Sequence, residues 1–456
     1  MLRHLPRFRK ARAALNQLAQ RESWSRSDIE QFQLEKLNLL WKHAITHVPY
    51  YRELAAREHL PPRFDSLSQF SEQIPVLSRQ TVQSGTDRFL SENAPAGKWK
   101  VSGGSTGLPT SFYWSHADHQ QVLHAKYRLQ QMWDVDFLDR FVFLWGHTAS
   151  FAHGWKGRLA RWIQPVKDWL RNRVRLSAYQ LGSSDLQRHL HRIAQCRPTA
   201  LYGYSTAMLL LAQEALRSRF TPDSLKAVFL TAEPTHAMIC DTVQEAFHVP
   251  TVIEYGAAEC ELIAGQWRDG SLRVREDIVL LETVPRSDGR YDILLTVLAN
   301  PSFPLIRYAL GDVTDAPLRR PSQGFAILDS VLGRSNDCLQ SRTGRLIHPT
   351  WLMSIVSQTS GVRRYQIRQK ESGAVEVQIE SDHAVSEAKL QHIVTSIREA
   401  VEGYPVRGTI IPHIQGTRAG KHRWVISELA SLTKQSLICE RNAQNNSTSH
   451  FSHSGS

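Results

Sequence analysis

The sequence predicts an α/β protein. Its large N-terminal domain has parallel sheets flanked by helices and carries a small antiparallel β subdomain, and a small α+β domain follows it. Three observations lead there. Residues 199–259 alternate strand, helix, strand, helix, strand, which implies a parallel sheet. Residues 272–298 carry three short apolar runs with the hairpin turn Ser287-Asp288-Gly289 among them. Beyond Arg334 the character changes to strands near Arg363–Gln369 and Ala374–Glu380 with a helix from Ser386 to Val401.

The parallel unit is the part from which the other elements take their meaning. Thr199–Tyr204 is an apolar run, and Thr206–Arg219 is an amphipathic helix for which Ser205 is the expected N-cap. Lys226–Leu230 is too apolar for a half-exposed edge. Met238, Ile239, Val243, Ala246 and Phe247 share one face of a helix over His236–Phe247, and Thr251–Tyr255 is a β-branched strand. A polar cluster follows each strand: Tyr202 to Ser205, Thr231-Ala232-Glu233-Pro234, and Tyr255-Gly256-Ala257-Ala258-Glu259. Ligands bind at the carboxyl ends of parallel strands, so three such loops in register point to a site. Ordinary βα turns are the alternative, since helix starts also favour Ser, Glu and Pro.

In chain order, the N-terminus sets Arg3, Arg7, Arg9, Lys10 and Arg12 among Leu2, Leu5, Phe8, Ala11 and Leu15. That is a basic amphipathic helix, suited to packing on its own domain or to lying on a membrane surface. Asp28–Glu58 reads as helix, broken at His47–Tyr51 around Pro49; Pro61-Pro62 starts a loop, and a further helix is expected from Ile74 towards Phe89. Ser102-Gly103-Gly104-Ser105-Thr106-Gly107 follows. Its glycines let backbone N–H groups turn inward and its hydroxyls add donors, as a phosphate chain requires. No Gly-Lys-Ser/Thr closes it, so it is not a Walker loop, and a flexible Gly/Ser turn is the other reading.

Phe112–Trp114 is a strand, Asp118–Met132 a helix, and Phe141–Trp145 a buried strand leading to Gly146-His147-Thr148. Lys156–Arg175 is strongly basic with interleaved Trp and Leu, and we read it as a solvated amphipathic helix with snorkelling arginines. Tyr308 to Asp312 ends in a glycine turn, where the Asp312 carboxylate can take both hydroxyls of a ribose. Gly324–Leu332 reads as a strand, Thr417–Lys421 as a glycine turn carrying a lysine, and 441–456 as a disordered Asn/Ser/His-rich tail.

The totals narrow the function classes. With 456 residues, 41% hydrophobic and 21% charged, the chain has room for two or three domains of an ordinary globular kind. Its five cysteines are scattered, with no CxxC pair and no Cys/His cluster, which argues against a disulfide scaffold or zinc and for a reducing compartment. The 55 basic against 43 acidic residues give +12, which suits nucleic acid, anionic lipid or a phosphorylated substrate; spread along the chain with no nucleic-acid motif, it weakens the nucleic-acid reading. No run of about 18 apolar residues spans a bilayer.

Taken together, these segments resemble the adenylate-forming (AMP-binding) acyl ligases. Ser102–Pro109 resembles their phosphate loop, Tyr255–Glu259 their Tyr-Gly-x-x-Glu motif, and Tyr308–Asp312 their Tyr-x-x-Gly-Asp motif. Gly333-Arg334 resembles the hinge before a mobile C-terminal domain, and Gly420-Lys421 the catalytic lysine loop. Pro198–Tyr204, Thr231–Pro234 and Pro304–Tyr308 are similar to the phenylacetate–CoA ligase group, and the region Trp145–Arg175 to its capsule-biosynthesis, CapK-type members. Ala309-Leu310 departs from the usual Arg-Thr, and Asn336 stands where an acidic hinge residue is usual, with Asp337 beside it.

The resemblance implies a two-step reaction using ATP, Mg2+ and a small-molecule carboxylic acid. An acyl-adenylate forms first, and a thiol, coenzyme A or a carrier protein's, then displaces AMP. It implies catalytic roles for Lys421 and Glu259, with Glu259 the magnesium ligand. It also implies ATP binding by Ser102, Gly103, Gly104, Ser105, Thr106, Gly107, Thr231, Ala232, Glu233, Pro234, Tyr255, Gly256, Asp312 and Arg334. Trp145, His147 and Tyr204 take acyl-pocket positions by placement, with core-filling aromatics the other reading. No zinc is expected, Cys260 standing alone. The expected domains are 1–333 and a mobile 334–440, and the expected location is cytoplasmic or at the inner membrane face, in capsule or exopolysaccharide synthesis. The competing reading is a catalytically degenerate nucleotide-binding accessory protein of envelope polysaccharide synthesis.

Overall fold

The computed structural model describes residues 6–101, 110–145, 167–178, 181, 183–334, 339–343, 346–347, 352, 355–356, 362–381, 385–415 and 422–429. The chain divides into two compact units, Met1–Gly333 with Gly416–His422, and Arg334–Gln415 with Arg423–Ser456.

The first unit opens with helices α1 (Pro6–Arg21), α2 (Arg26–His47), α3 (Pro49–Arg57), α4 (Leu67–Gln73) and α5 (Arg79–Ser84). Ser25, Ser66 and Ser78 cap α2, α4 and α5 by accepting the N–H of Asp28, Gln69 and Thr81. Pro49 at the first turn of α3 separates it from α2. The helix expected from Ile74 begins only at Arg79. Leu77 is instead extended and donates its N–H to the Arg307 carbonyl at 2.9 Å, and Ser78 is the cap. Strands β1 (Gly97–Val101) and β2 (Ser111–Ser115) form an antiparallel pair, and Ser115 caps α6 (His116–Met132). Ala11, Leu15 and Leu18 of α1 are buried and α1 packs on α6, so these apolar side chains are not turned outward to a membrane.

The main sheet contains β3 (Phe141–Trp145), β4 (Arg173–Ser177), β5 (Ala200–Tyr204), β6 (Ala227–Thr231), β7 (Thr251–Tyr255), β8 (Ala264–Gln266) and β9 (Leu272–Val274), in the order β4-β3-β5-β6-β7-β8-β9. The first five are parallel, and β8 and β9 run antiparallel to their neighbours. Helices α7 (Ser183–Cys196), α8 (Ser205–Ser218) and α9 (Ala237–Phe247) supply the crossovers. Every residue of β5 and β6 is buried, as their uninterrupted apolar runs require.

Three expectations are corrected here. Arg173 and Arg175 lie on the edge strand β4 and not on a surface helix; Arg173 stacks over Phe143 at 5.1 Å and Arg175 pairs with Asp168 at 2.9 Å. Leu272–Val274 joins the main sheet, not the small antiparallel one. Ser205 is the first residue of α8 rather than its cap: the N–H of Thr206 is taken at 2.8 Å by the Glu233 carboxylate from the next loop.

A second sheet has the order β10 (Val279–Pro285), β11 (Tyr291–Val297), β12 (Tyr308–Thr314), β13 (Gly333–Arg334). Gly324–Leu332 is not a strand; Ile327 makes only isolated bridges to Arg273 and Arg319. One hydrophobic core gathers Trp41, Tyr51, Phe64 and Phe70 from the N-terminal region with Phe112, Leu281, Leu295, Phe303 and Tyr308.

The second unit contains the short pair β14 (Leu339–Gln340) and β15 (Leu346–Ile347) and a four-stranded sheet. That sheet is built from β16 (Val362–Gln369), β17 (Val375–Ser381), β18 (Val406–Ile411) and β19 (Val425–Ser427), with α10 (Glu387–Ala400) packed on β18. A Cβ on Gly408 would lie 2.7 Å from a Val394 methyl, so glycine is what lets the helix approach. The buried Arg364–Glu380 pair, at 2.6 Å, also takes the Ile414 N–H on Glu380 at 2.7 Å.

Candidate active site

The parallel strands β3, β5, β6 and β7 end at Trp145, Tyr204, Thr231 and Tyr255, all at the same edge of the main sheet. The Trp145 and Tyr204 rings meet with centroids 4.2 Å apart at 43°, and Tyr204 is buried. Thr231 is buried too, and Ala232 after it has φ +68°, a left-handed conformation unusual for a residue with a side chain. This turn aims Glu233 back at α8. Its Oε2 accepts the Thr206 N–H, and its Oε1 accepts the His422 N–H at 2.8 Å, within the same unit.

The turn after β7 is folded back on itself. The Ala257 carbonyl accepts the N–H of Cys260 at 3.1 Å and of Glu261 at 2.6 Å. A Cβ on Gly256 would sit 1.9 Å from the Glu261 carbonyl oxygen, so only glycine allows this closure. The Tyr255 hydroxyl donates to Asp312 Oδ2 at 2.8 Å, joining the Tyr-Gly turn to the Gly-Asp segment of β12. Gly311, at φ +81°, provides the bend before Asp312. Glu259 is 3% exposed, and its Oε1 accepts from Arg79 at 3.1 Å and from the Tyr308 hydroxyl at 3.2 Å.

Behind these loops lies a buried polar network. Lys126 reaches Glu254 at 3.0 Å and the Tyr202 hydroxyl at 3.1 Å, and that hydroxyl donates to Glu254 at 2.5 Å. Burial lowers the Lys126 pKa, but Glu254, Tyr202 and Glu261 outweigh it, so the ammonium is held well above its ordinary value. Burial, then Glu254, pushes the Tyr202 phenol up. Glu261 pairs with Lys100 and meets His119 Nε2 at 3.1 Å. Burial raises its pKa, yet His119, Lys126 and Lys100 together hold it far below the ordinary carboxylate range. The Glu261 carboxylate is therefore charged and matched by cations.

The structure thus brings Glu259, Tyr255, Gly256 and Asp312 into one cluster, and Thr231, Ala232, Glu233 and Pro234 into the neighbouring loop, with Trp145 and Tyr204 at the adjoining strand ends. Ser102, Gly103, Gly104, Ser105, Thr106, Gly107, His147 and Lys421 lie outside the described residues, as does the side chain of Arg334, whose backbone ends β13. Sequence reasoning missed Arg79, Lys100, His119, Lys126, Glu254 and Glu261. Arg79 carries no local signal, being far from Glu259 in the chain. Glu261 did carry one, a second acid two places after Glu259.

For magnesium, the chemistry of the donors decides. Among the described residues there is no cluster of three or more metal-binding side chains. Glu259 is a single buried carboxylate already held by a cation and a phenol. Magnesium bound by one carboxylate plus substrate phosphates needs no more than that, so the residues fit an ion arriving with a triphosphate rather than a standing metal site.

Comparison with known proteins was made on sequence and on fold. Residues 339–428 match the family model of the CapK C-terminal domain. The chain is 22% identical to protein CapK of Staphylococcus aureus over 324 residues, covering 69% of this chain and 70% of that protein. It is 24% identical to phenylacetate–coenzyme A ligase of Thermus thermophilus over 457 aligned positions, covering 89% and 98% of the two chains. Among solved structures, 2-hydroxyisobutyryl-CoA ligase in its postadenylation state with a bound acyl-adenylate superposes with a TM-score of 0.70 at 18% identity, covering 93% and 94%.

Proposed function

On the premise that this chain is an adenylate-forming acyl ligase related to CapK and to phenylacetate–CoA ligase, we propose that it activates a carboxylic acid with ATP and passes the acyl group to a thiol, coenzyme A being the expected acceptor. A carboxylate oxygen attacks the α-phosphorus, and pyrophosphate leaves. The thiol sulfur then attacks the acyl carbon, and AMP leaves. The observation that carries the reading is the junction of two sequence-distant motifs, Tyr255 hydroxyl to Asp312 carboxylate at 2.8 Å, in the turn that also carries Glu259. Ligand sites gather a few polar groups at the carboxyl ends of parallel strands, and this junction does so.

In this proposal Asp312 accepts both ribose hydroxyls. Tyr255, Gly256 and Thr231 to Pro234 frame adenine and the α-phosphate, and Ser102 to Gly107 and Arg334 contact the phosphates. Magnesium entering with ATP would be held by Glu259 and would neutralise phosphate charge as the acid approaches. Lys421 counters the remaining negative charge on the acid and α-phosphate during adenylation. The bond from Glu233 to the His422 N–H supports this, because it ties the residue next to Lys421 to the loop that frames the α-phosphate. Trp145, His147 and Tyr204 line the acid. We further propose that the domain from 334 to 440 moves between the half-reactions about Gly333-Arg334. A cytoplasmic place in capsule or exopolysaccharide synthesis is proposed from the CapK-like C-terminal segment. No described helix is long and apolar enough to cross a membrane.

One observation favours a second reading, a nucleotide-binding protein without turnover: Arg79 occupies Glu259, the position expected to receive magnesium. Pyrophosphate release from MgATP across a panel of carboxylic acids, with and without coenzyme A, separates the two. Acid-dependent release is the expected result; ATP bound tightly with no release for any acid would favour the second reading.

A further inference from the structure

Glu261 has no role in the chemistry just described, yet it is the most heavily anchored residue of the turn that follows β7. Its backbone has φ +60°, and its carbonyl oxygen closes over Gly256 where any Cβ would collide. A non-glycine residue at positive φ persists only where its surroundings hold it. Here the side chain does the holding. The carboxylate pairs with Lys100 on β1 and lies 3.1 Å from His119 Nε2 on α6 through either oxygen. The Lys100 ammonium is itself steered, lying 5.1 Å from the centre of the Trp114 ring on β2. Lys100 is the second residue before Ser102, where the glycine-rich segment begins. One carboxylate therefore ties together the turn bearing Glu259 and Gly256, the strand that delivers the glycine-rich segment, and α6.

We propose that Glu261 is a positioning residue for the triphosphate: through Lys100 it sets the end of β1 against the turn that carries Glu259. The proposal rests on the ATP-ligase reading above. A carboxylate is suited to this because an ammonium and an imidazole on different elements fix it in two directions, whereas one neutral hydrogen bond would leave the turn free to rock. Its effect is directional. Lys100 lies two residues before the segment proposed to take the β- and γ-phosphates, so loss of the pair acts there first, while Tyr255 and Gly256, proposed to face adenine and the α-phosphate, keep the Tyr255–Asp312 bond and the backbone bonds to the Ala257 carbonyl.

The test compares MgATP with AMP, which lacks the outer phosphates, by calorimetric titration of the full chain. Glu261→Gln removes the charge and keeps the shape. It is expected to weaken MgATP binding about tenfold, as expected for loss of a partly buried charged hydrogen bond, while AMP affinity stays within about twofold. Lys100→Met should reproduce the pattern, and the double variant should be no worse than either single one, because both remove the same link. Equal losses for MgATP and AMP would make Glu261 a general prop of the fold and overturn the proposal; so would MgATP affinity unchanged in both variants. Absence of MgATP binding by the unaltered protein would instead remove the ligase reading itself, and the proposal with it.

Discussion

The roles proposed for Glu259, as metal ligand, and for Lys421, as countercharge in adenylation, each predict a different kinetic signature. Glu259→Gln keeps a carbonyl oxygen for Arg79 and Tyr308, which both bond Oε1, but loses the charge. The magnesium concentration for half-maximal turnover should rise about tenfold, the loss of one charged ligand, with AMP binding unchanged. An unaltered magnesium titration would remove Glu259 from that role. Lys421→Ala should slow adenylation by about a hundredfold or more, as removal of one transition-state donor does. It should spare thioester formation from a supplied acyl-adenylate. If both half-reactions survive in single-turnover assays, this lysine is not the catalytic one. The partners of Glu259 were out of reach of the sequence. Arg79 is a single arginine at a helix start, and nothing in its own neighbourhood says which carboxylate it will meet.

At the scale of elements, the turn from Tyr255 to Glu261 is the tightest point of the site. Gly256→Ala places a methyl group 1.9 Å from a backbone oxygen that cannot rotate away. We expect a loss of about 3 kcal/mol, read as a lower urea midpoint, or a folded protein in which the turn has opened and MgATP no longer binds. Gly311→Ala should cost less, near 1 kcal/mol (about what positive φ costs), because no atom stands within 4 Å of the added Cβ and only the backbone conformation is strained. The sheet itself was legible. β5 and β6 are apolar runs buried on both faces, β7 is a short run with β-branched residues, and such strands announce themselves in composition. Elements held by long-range contacts were not. β4 carries Arg173 and Arg175 and is a strand because Phe143 and Asp168 receive those charges at the sheet edge. The cap of α8 was misassigned for a similar reason, since Glu233 from another loop takes the N–H that a local serine was expected to satisfy.

For the whole molecule, burial of neutral imidazoles makes stability fall on the acid side. Burial lowers the pKa of His124. Burial and the neighbouring His47 lower that of His43 against opposition from the Pro301 carbonyl and Asp118, and burial lowers His189 against the Ser177 carbonyl. Below the ordinary value of 6.5, the unfolded chain takes up protons that the folded chain refuses. Stability is therefore complete above that value and falls as pH drops from it through the folded values. The urea midpoint should be lower at about pH 5.5 than at about pH 7.5, and His124→Gln should flatten that dependence. A midpoint equal at the two values would show that these imidazoles accept protons in the folded state.

The N-terminal helices have a further consequence, one of timing. Arg26 pairs with Glu276 at 2.9 Å, Gln33 donates to the Val279 carbonyl at 3.0 Å, and the Tyr51 hydroxyl donates to the Pro304 carbonyl at 3.0 Å. Each joins the first tenth or so of the chain to a residue made more than two hundred positions later. At ordinary rates of translation, those partners emerge from the ribosome on the order of tens of seconds afterwards. During that interval Trp41, Tyr51 and Phe64 lack the later part of the core, Leu281, Leu295 and Phe303 among it. Release of a stalled chain before about residue 310 should therefore yield aggregate rather than a smaller folded domain, read by sedimentation of the released product.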